Sequence, residues 1–508
     1  MISDNLKKAR EFEETHLPCI KCDERPAFHL TGGLGWINDP NGFSSYKGEY
    51  HMFYQYHPFS NVWGPMHWGH AKSRDMLTWE RLPIVLAPDE EYDELGCFSG
   101  SAWELDDGRH MLMYTGVSSL MHDRSWDRIY QSQCIAVGDG VNYEKCSNNP
   151  VIRPEDMPFE IRVSDFRDPK LWREADGTWR MVASVMNLEK NCRIVLLKSS
   201  DAVHWEFCAS LIESTKALGG MWECPDFFML DGKQVMLVSP MAMQPDDDEF
   251  HVGHNTMALI GSYNPDTYEF DPEEMRQVDN GIDFYAPQTM LTPDGRRIMI
   301  GWMQAWPNSK FVPPGVKYFG QLSLPRELSI RGGKLCQEPV RELLEHRRNP
   351  VIMKDVRICE DRSSSNGKGF FDIHSRQTAF PGIEGRMIDM TVTVRELRTL
   401  KKLNIRVAAD QDWHTDVSYI PKHEILKVDR NHSGYLYDIV HRRDMHVVPS
   451  DGILTLRFIM DRHSLEVFIN GGERTATVAL FTPQEAKGIF FSAEGETVID
   501  IEKYDLVF

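Results

Sequence analysis

The sequence predicts an all-β protein: a five-bladed β-propeller followed by a C-terminal β-sandwich. Three observations carry that expectation. Helical periodicity is confined to residues 3–15 and 339–348, whereas short alternating runs bounded by Gly, Asp and Pro fill the rest. A glycine introduces a short apolar run five times, at Gly48, Gly108, Gly177, Gly232 and Gly295, and four of these turns are Asp-Gly, a strong hairpin signal. An Asp or Asn also lies four residues before an aromatic-Glu pair in "DMLTWE", "DGVNYE", "DAVHWE" and "NPDTYE", at intervals of 64, 62 and 63 residues. Five multi-strand units of about 60 residues fit propeller blades better than a solenoid.

In chain order, residues 1–27 form an N-terminal segment and 28–338 the propeller. Residues 339–356, containing "PVRELLEHRRNP", read as a short linker helix ended by proline. From 357 to 508 the alternation is denser, as in "DMTVTV", "GILTLRFIM" and "SLEVFI", which reads as an antiparallel sandwich. Nothing in that second domain clusters as a second active site, so a structural role, or one in access and assembly, is expected there.

At 508 residues the chain is too long for one core, and its 41% hydrophobic and 26% charged content is globular. With 76 acidic against 56 basic residues the formal charge is −20, which disfavours nucleic acid or an anionic membrane as a partner. The first residues, "MISDNLKKAREFEETHLP", lack the apolar run of a secretory signal, and no stretch approaches 18 uninterrupted apolar residues. A soluble, cytoplasmic protein, monomeric or homodimeric, is the expectation. The ten cysteines are scattered and mostly in strand-like contexts, which favours reduced, buried thiols over disulfides. Cys19 and Cys22 form a CxxC without a second pair. His67 and His70 alternate with Trp68 as a strand does. Neither pair argues for zinc.

Counting back nine residues from each repeat glycine gives Asp39, Ser99, Asp168, Glu223 and Ala286. Three of five units thus place an acid at one phase, in a turn just ahead of the strand that runs into the hairpin. If that strand is the innermost of its blade, the three carboxylates meet at the central channel. Their local strings, "NDPNG", "RDPK" and "ECPD", all carry proline. For Asp39 taken alone, Pro40 and Gly42 favour a turn-shaping role over chemistry. Like charges in a partly dry channel resist joint ionisation, which lets one carboxyl act as acid while another stays ionised. Glycoside hydrolysis needs that division, together with aromatic surfaces for a sugar. Trp36, Trp63, Phe98, Trp222, Tyr285 and Trp306 lie in or near these turns, and Asn38, Gln55, Ser99 and Arg167 offer polar contacts. The alternatives are core packing for the aromatics and a plain ion pair for Arg167 with Asp168. Calcium is the competing use of the acids, but no EF-hand or related spacing accompanies them, so no metal and no cofactor is expected. The acidic run Asp246–Glu249 reads as a solvated loop.

"WINDPNG", "FRDPK" and "WECPD", in this order, resemble the three acidic motifs of glycoside hydrolase family 32, the invertases and related β-fructofuranosidases. "YQYHP", "WGPMHWGHAKSRDMLTWERLPIVLAP", "CFSGSAW" and "DRHSLEVFINGGERTATVALF" are similar to the family as well. The resemblance covers residues 25–508 and implies a five-bladed propeller followed by a sandwich. It implies that Asp39 is the nucleophile and Glu223 the acid/base of a retaining hydrolase of terminal β-D-fructofuranosides. Asp168, with Arg167, would hold fructose hydroxyls and stabilise the transition state, while Asn38, Gln55, Trp63, Phe98, Ser99 and Trp306 would bind the fructosyl unit. Ile37 replaces the Met of many members, a volume-conserving change. An intracellular enzyme would meet imported sucrose, sucrose 6-phosphate or short fructo-oligosaccharides. His122, Arg124 and Arg128 are candidates for a phosphate, or simply exposed loop charges.

Overall fold

A computed structural model describes residues 2–121, 125–126, 128–246, 249–309, 315–360, 377–434 and 440–508; of Cys22 and Lys216 only the backbone is described. Among them are five four-stranded antiparallel units at 35–86, 96–145, 161–213, 222–277 and 285–339. The first strands of neighbouring units touch round a closed ring, so they are the innermost strands of a propeller. They are Gly35–Tyr46, Gly96–Glu104, Ile161–Arg173, Trp222–Leu230 and Tyr285–Leu291.

The repeated residues explain the repeat. Each hairpin glycine has positive φ, and Lys47 and Asp231 before two of them do as well, as a two-residue primed turn requires. Asp75, Asp139, Asp201 and Asn264 each accept hydrogen bonds from the backbone N–H groups two and three residues on, fixing the turn into the outer strand. Closure is made by Tyr318–Phe319, which pairs in parallel with Gly35 and Trp36. Gly320 permits it, since a Cβ there would stand 2.3 Å from the Ile37 carbonyl oxygen.

The N-terminal helix, Asp4–His16, is capped by Ser3 and packs Leu6 and Ala9 against blade one. The expected linker helix over 339–350 is shorter: only Arg341–His346 is helical, as a 3-10 turn, and strand Arg347–Cys359 begins at once. Asn349 takes positive φ, and the ladder shifts between Arg348 and Val351, so Pro350 sits at a bulge where its missing N–H costs nothing.

The second domain is two antiparallel sheets joined by one long strand, Gly488–Leu506. Residues 488–495 pair with Leu400–Ala409 in one sheet, and 499–505 pair with Ile388–Val394 in the other. Met390, Val392, Leu403, Ile405, Phe458 and Val467 fill the core between them. The domain seals blade one, whose core includes Ile459, Phe468 and Leu506.

A buried polar network crosses the seam. His29 contacts Asp461 and Glu466, each at 2.9 Å, while Arg326 donates to Glu466 at 3.0 Å and Asp279 at 2.9 Å. Breaking a buried pair leaves a charge uncompensated, at about 3–5 kcal/mol. Arg326→Met is therefore expected to lower the urea midpoint sharply; an unchanged midpoint would mean that the network contributes nothing. Glu249 is not the solvated loop acid expected from its sequence. It accepts both Arg474 Nη1 at 2.8 Å and Nη2 at 2.6 Å, tying blade four to the sandwich, while Asp247 and Asp248 of the same run lie outside the described residues.

Candidate active site

The three acids converge, on different register positions. In blade one, Ile37 pairs with Tyr56 and Pro40 with Tyr54, leaving Asn38 and Asp39 opposite Gln55. In blade three, Asp168 and Pro169 face Ala183, between the pairs Arg167–Ser184 and Lys170–Val182. In blade four, Glu223 pairs with Ser239, and it is Cys224 and Pro225 that bulge. Asp39 is thus the second bulged residue, Asp168 the first, and Glu223 the residue before the bulge. The expected single phase is correct only to one residue. Nor do the acids precede their strands. All three lie within them, because a bulge lets the strand run on while re-aiming a side chain. Asp168 and Cys224, each before proline, take φ of 61° and 50°, conformations that cost non-glycine residues roughly 1–3 kcal/mol.

Cys224 joins two of the acids. Its N–H donates to Asp168 Oδ2 at 2.8 Å, and its thiol lies 3.8 Å from Asp39 Oδ2. Ser99 Oγ is 3.5 Å from that same oxygen, whereas Asp39 Oδ1 is buried with no partner among the described residues. Glu223 accepts from Arg167 Nη1 at 3.0 Å and from the Tyr285 hydroxyl at 2.8 Å. Arg167 is held in turn by Gln131 Oε1 at 3.1 Å and Asp165 Oδ1 at 3.0 Å. Its contact is therefore with Glu223 rather than a simple pairing with its neighbour Asp168.

Burial, then the charges of Glu223 and Asp168, push Asp39 up to about 8. Burial and Glu223, opposed by Arg167, push Asp168 up to about 6. Asp39 and Asp168 thus retain one proton between them from about 6 to about 8, and a site that holds a proton can give it while an ionised carboxyl attacks. A bell-shaped kcat/KM profile is expected, with limbs near about 6 and about 8. Asp168→Asn removes a like charge that raises Asp39, so its alkaline limb should move to lower pH; a limb that stays put argues against the shared proton.

The remaining predicted residues lie at different depths. Asn38 is buried and accepts from Trp36 Nε1 at 2.8 Å, and Gln55 is buried and donates to the Cys97 carbonyl at 3.0 Å. Trp306 is the partly exposed ring, stacked 6.2 Å from Trp36, whereas neighbouring Trp302 is wholly buried. Phe98 packs against the same cluster as Trp36 and Trp306, and Trp63 stands 6.3 Å from it at the rim. Trp222 is not at the site: it lies in the core between blades three and four, with its indole N–H on the Leu218 carbonyl. Arg128 is exposed, and His122 and Arg124 lie outside the described residues.

Sequence reasoning missed Cys224, Gln131 and Trp126, and read Tyr285 only as a possible sugar-facing ring. Cys224 and Tyr285 sit in the proline motifs "ECPD" and "YAPQ" and were within reach; no sequence signal marks Gln131, on a strand of blade two.

Residues 29–339 match the Glycosyl hydrolases family 32 N-terminal domain, and 357–506 match the Glycosyl hydrolases family 32 C terminal. A raffinose invertase of Escherichia coli is 33% identical, and a sucrose-6-phosphate hydrolase of the same organism 34% identical. Each alignment covers 93% of both chains. Among solved structures, a mutant of the Bombyx mori β-fructofuranosidase in complex with sucrose superposes with a TM-score of 0.83 at 29% identity, over 100% of this chain and 99% of that one. By two domains matched in order over most of its length, on a propeller and sandwich built as described, the chain belongs to glycosyl hydrolase family 32.

Proposed function

We propose that this protein is a retaining β-fructofuranosidase acting on sucrose, sucrose 6-phosphate or short fructo-oligosaccharides. The observation that carries this reading is the cluster of Asp39, Asp168 and Glu223, brought from three blades around Arg167 and Cys224. The raffinose invertase, the sucrose-6-phosphate hydrolase and the sucrose-bound silkworm enzyme support it.

In this reading, Asp39 attacks the anomeric carbon of the terminal fructosyl unit as Glu223 protonates the glycosidic oxygen. The C–O bond breaks and a fructosyl ester forms on Asp39. Glu223 then takes a proton from water, whose oxygen displaces the ester from the face that the leaving group vacated, so configuration is retained. In the protein alone the shared proton is drawn towards Asp39. A glycosidic oxygen arriving beside Glu223 provides the acceptor that favours the proton there. Asp168 receives hydrogen bonds from fructose hydroxyls as positive charge builds on the ring. Tyr285 and Arg167 keep the Glu223 carboxyl in place.

The experiment is a hydrolysis panel of sucrose, sucrose 6-phosphate, kestose and inulin, with the first-formed anomer read by NMR and transfer products by sugar analysis. Release of β-fructofuranose from the smaller sugars is expected; an inverted product, or no hydrolysis, overturns the proposal.

A further inference from the structure

The floor of the site is deep and polar, and its rim is aromatic. Asn38 and Gln55 are 3% and 2% exposed, whereas Trp63 and Trp126 at the rim are 38% and 40% exposed. Trp126 lies in the connection between the second and third strands of blade two, His110–Ser119 and Ile129–Gly138. Its ring centroid is 5.2 Å from Trp63, with planes crossing at 61°, and 6.2 Å from Phe98, with planes at 25°. Phe98 directly precedes Ser99, the residue whose hydroxyl faces Asp39. The three rings form a continuous wall that begins beside the nucleophile and ends in solvent. Trp36 of blade one and Trp302 and Trp306 of blade five pack together more deeply than Trp63 and Trp126.

Rings that only filled a core would bury their faces; these pack on one another and still leave large apolar area to water. Such a surface offers C–H to π contact to the apolar face of a sugar ring. Its place decides which ring. An enzyme that removes a terminal fructosyl unit must hold that unit at the buried end, among Asp39, Asp168 and Gln55. The leaving group then points outward, along the wall.

We propose that Trp126 is a specificity-determining residue that stacks against the sugar on the leaving-group side of the scissile bond. This rests on the β-fructofuranosidase reading above. It predicts that selectivity depends on whether the leaving group has a ring, because stacking needs a face.

The test compares sucrose and raffinose, whose leaving groups are glucose and melibiose, with methyl β-D-fructofuranoside, which releases methanol. Trp126→Ala should lower kcat/KM about tenfold for the first two, mainly through KM, while the methyl glycoside changes less than about twofold. Trp126→Phe, which keeps a face, should recover most of the loss. An equal loss on all three substrates would mean that Trp126 merely props Trp63 and Phe98. No loss on any would mean that it does nothing. Either result overturns this assignment alone. A wild-type protein that cleaves none of the three overturns the β-fructofuranosidase reading, and this inference with it.

Discussion

Asp39→Asn is expected to lose at least about 10⁴-fold in turnover and to be more stable than the parent protein at pH 8. In the proposed mechanism the first effect follows from the loss of the attacking oxygen, for which no neighbour substitutes. The second follows from burial. Asp39 is pushed up to about 8 because its charge is desolvated and faces Glu223 and Asp168. A carboxyl raised on folding makes the folded state bind the extra proton. The resulting penalty is absent below its unfolded value near 4, grows as pH rises, and is fully present above about 8. Asn carries no such penalty. The variant's advantage in melting temperature should therefore widen from pH 4 to pH 8 and vanish at the acid end. Scanning calorimetry across that range measures it. An Asn variant that is less stable at pH 8 would show that the site does not hold its acids under strain.

Glu223→Gln should cost about 10³-fold on sucrose, whose leaving oxygen needs a proton. A substrate that leaves without one, β-D-fructofuranosyl fluoride, should still load Asp39, and the ester should then accumulate because no base activates water. Azide, an anion that needs no base, should release it as a fructosyl azide of retained configuration. Rescue by azide separates loss of acid/base chemistry from general damage to the site, since a misfolded pocket gains nothing from a nucleophile. Unchanged sucrose turnover in this variant would remove Glu223 from the mechanism.

What the sequence made legible is what short-range chemistry encodes. The hairpin glycines, the turn-capping Asp75, Asp139, Asp201 and Asn264, and the three acidic motifs all act through neighbours a few residues away. Phase was legible only to one residue, because a bulge adds a residue to the strand without changing the motif's appearance: Asp39, Asp168 and Glu223 occupy three places around the same irregularity. The linker helix was overestimated because "RELLEH" has good helix formers, but strand pairing with 496–506 captures the chain from Arg347 onward. Gln131, which fixes Arg167, and Trp126, which joins Trp63 and Phe98, escaped notice for a different reason. Their roles depend on which blade comes to lie beside which, and no local pattern records that.

The closing pair Tyr318–Phe319 on Gly35–Trp36 has a consequence for the order in which the molecule comes into being. Asp39 leaves the ribosome well before the strand that closes its blade. Its strand gains its parallel neighbour only after some 280 more have followed, and its blade is sealed only when Ile459, Phe468 and Leu506 arrive. The first of the three acids to be synthesised is thus enclosed only after both domains are in place. Chains that lack the last strands carry Asp39 without the packing that seals its blade.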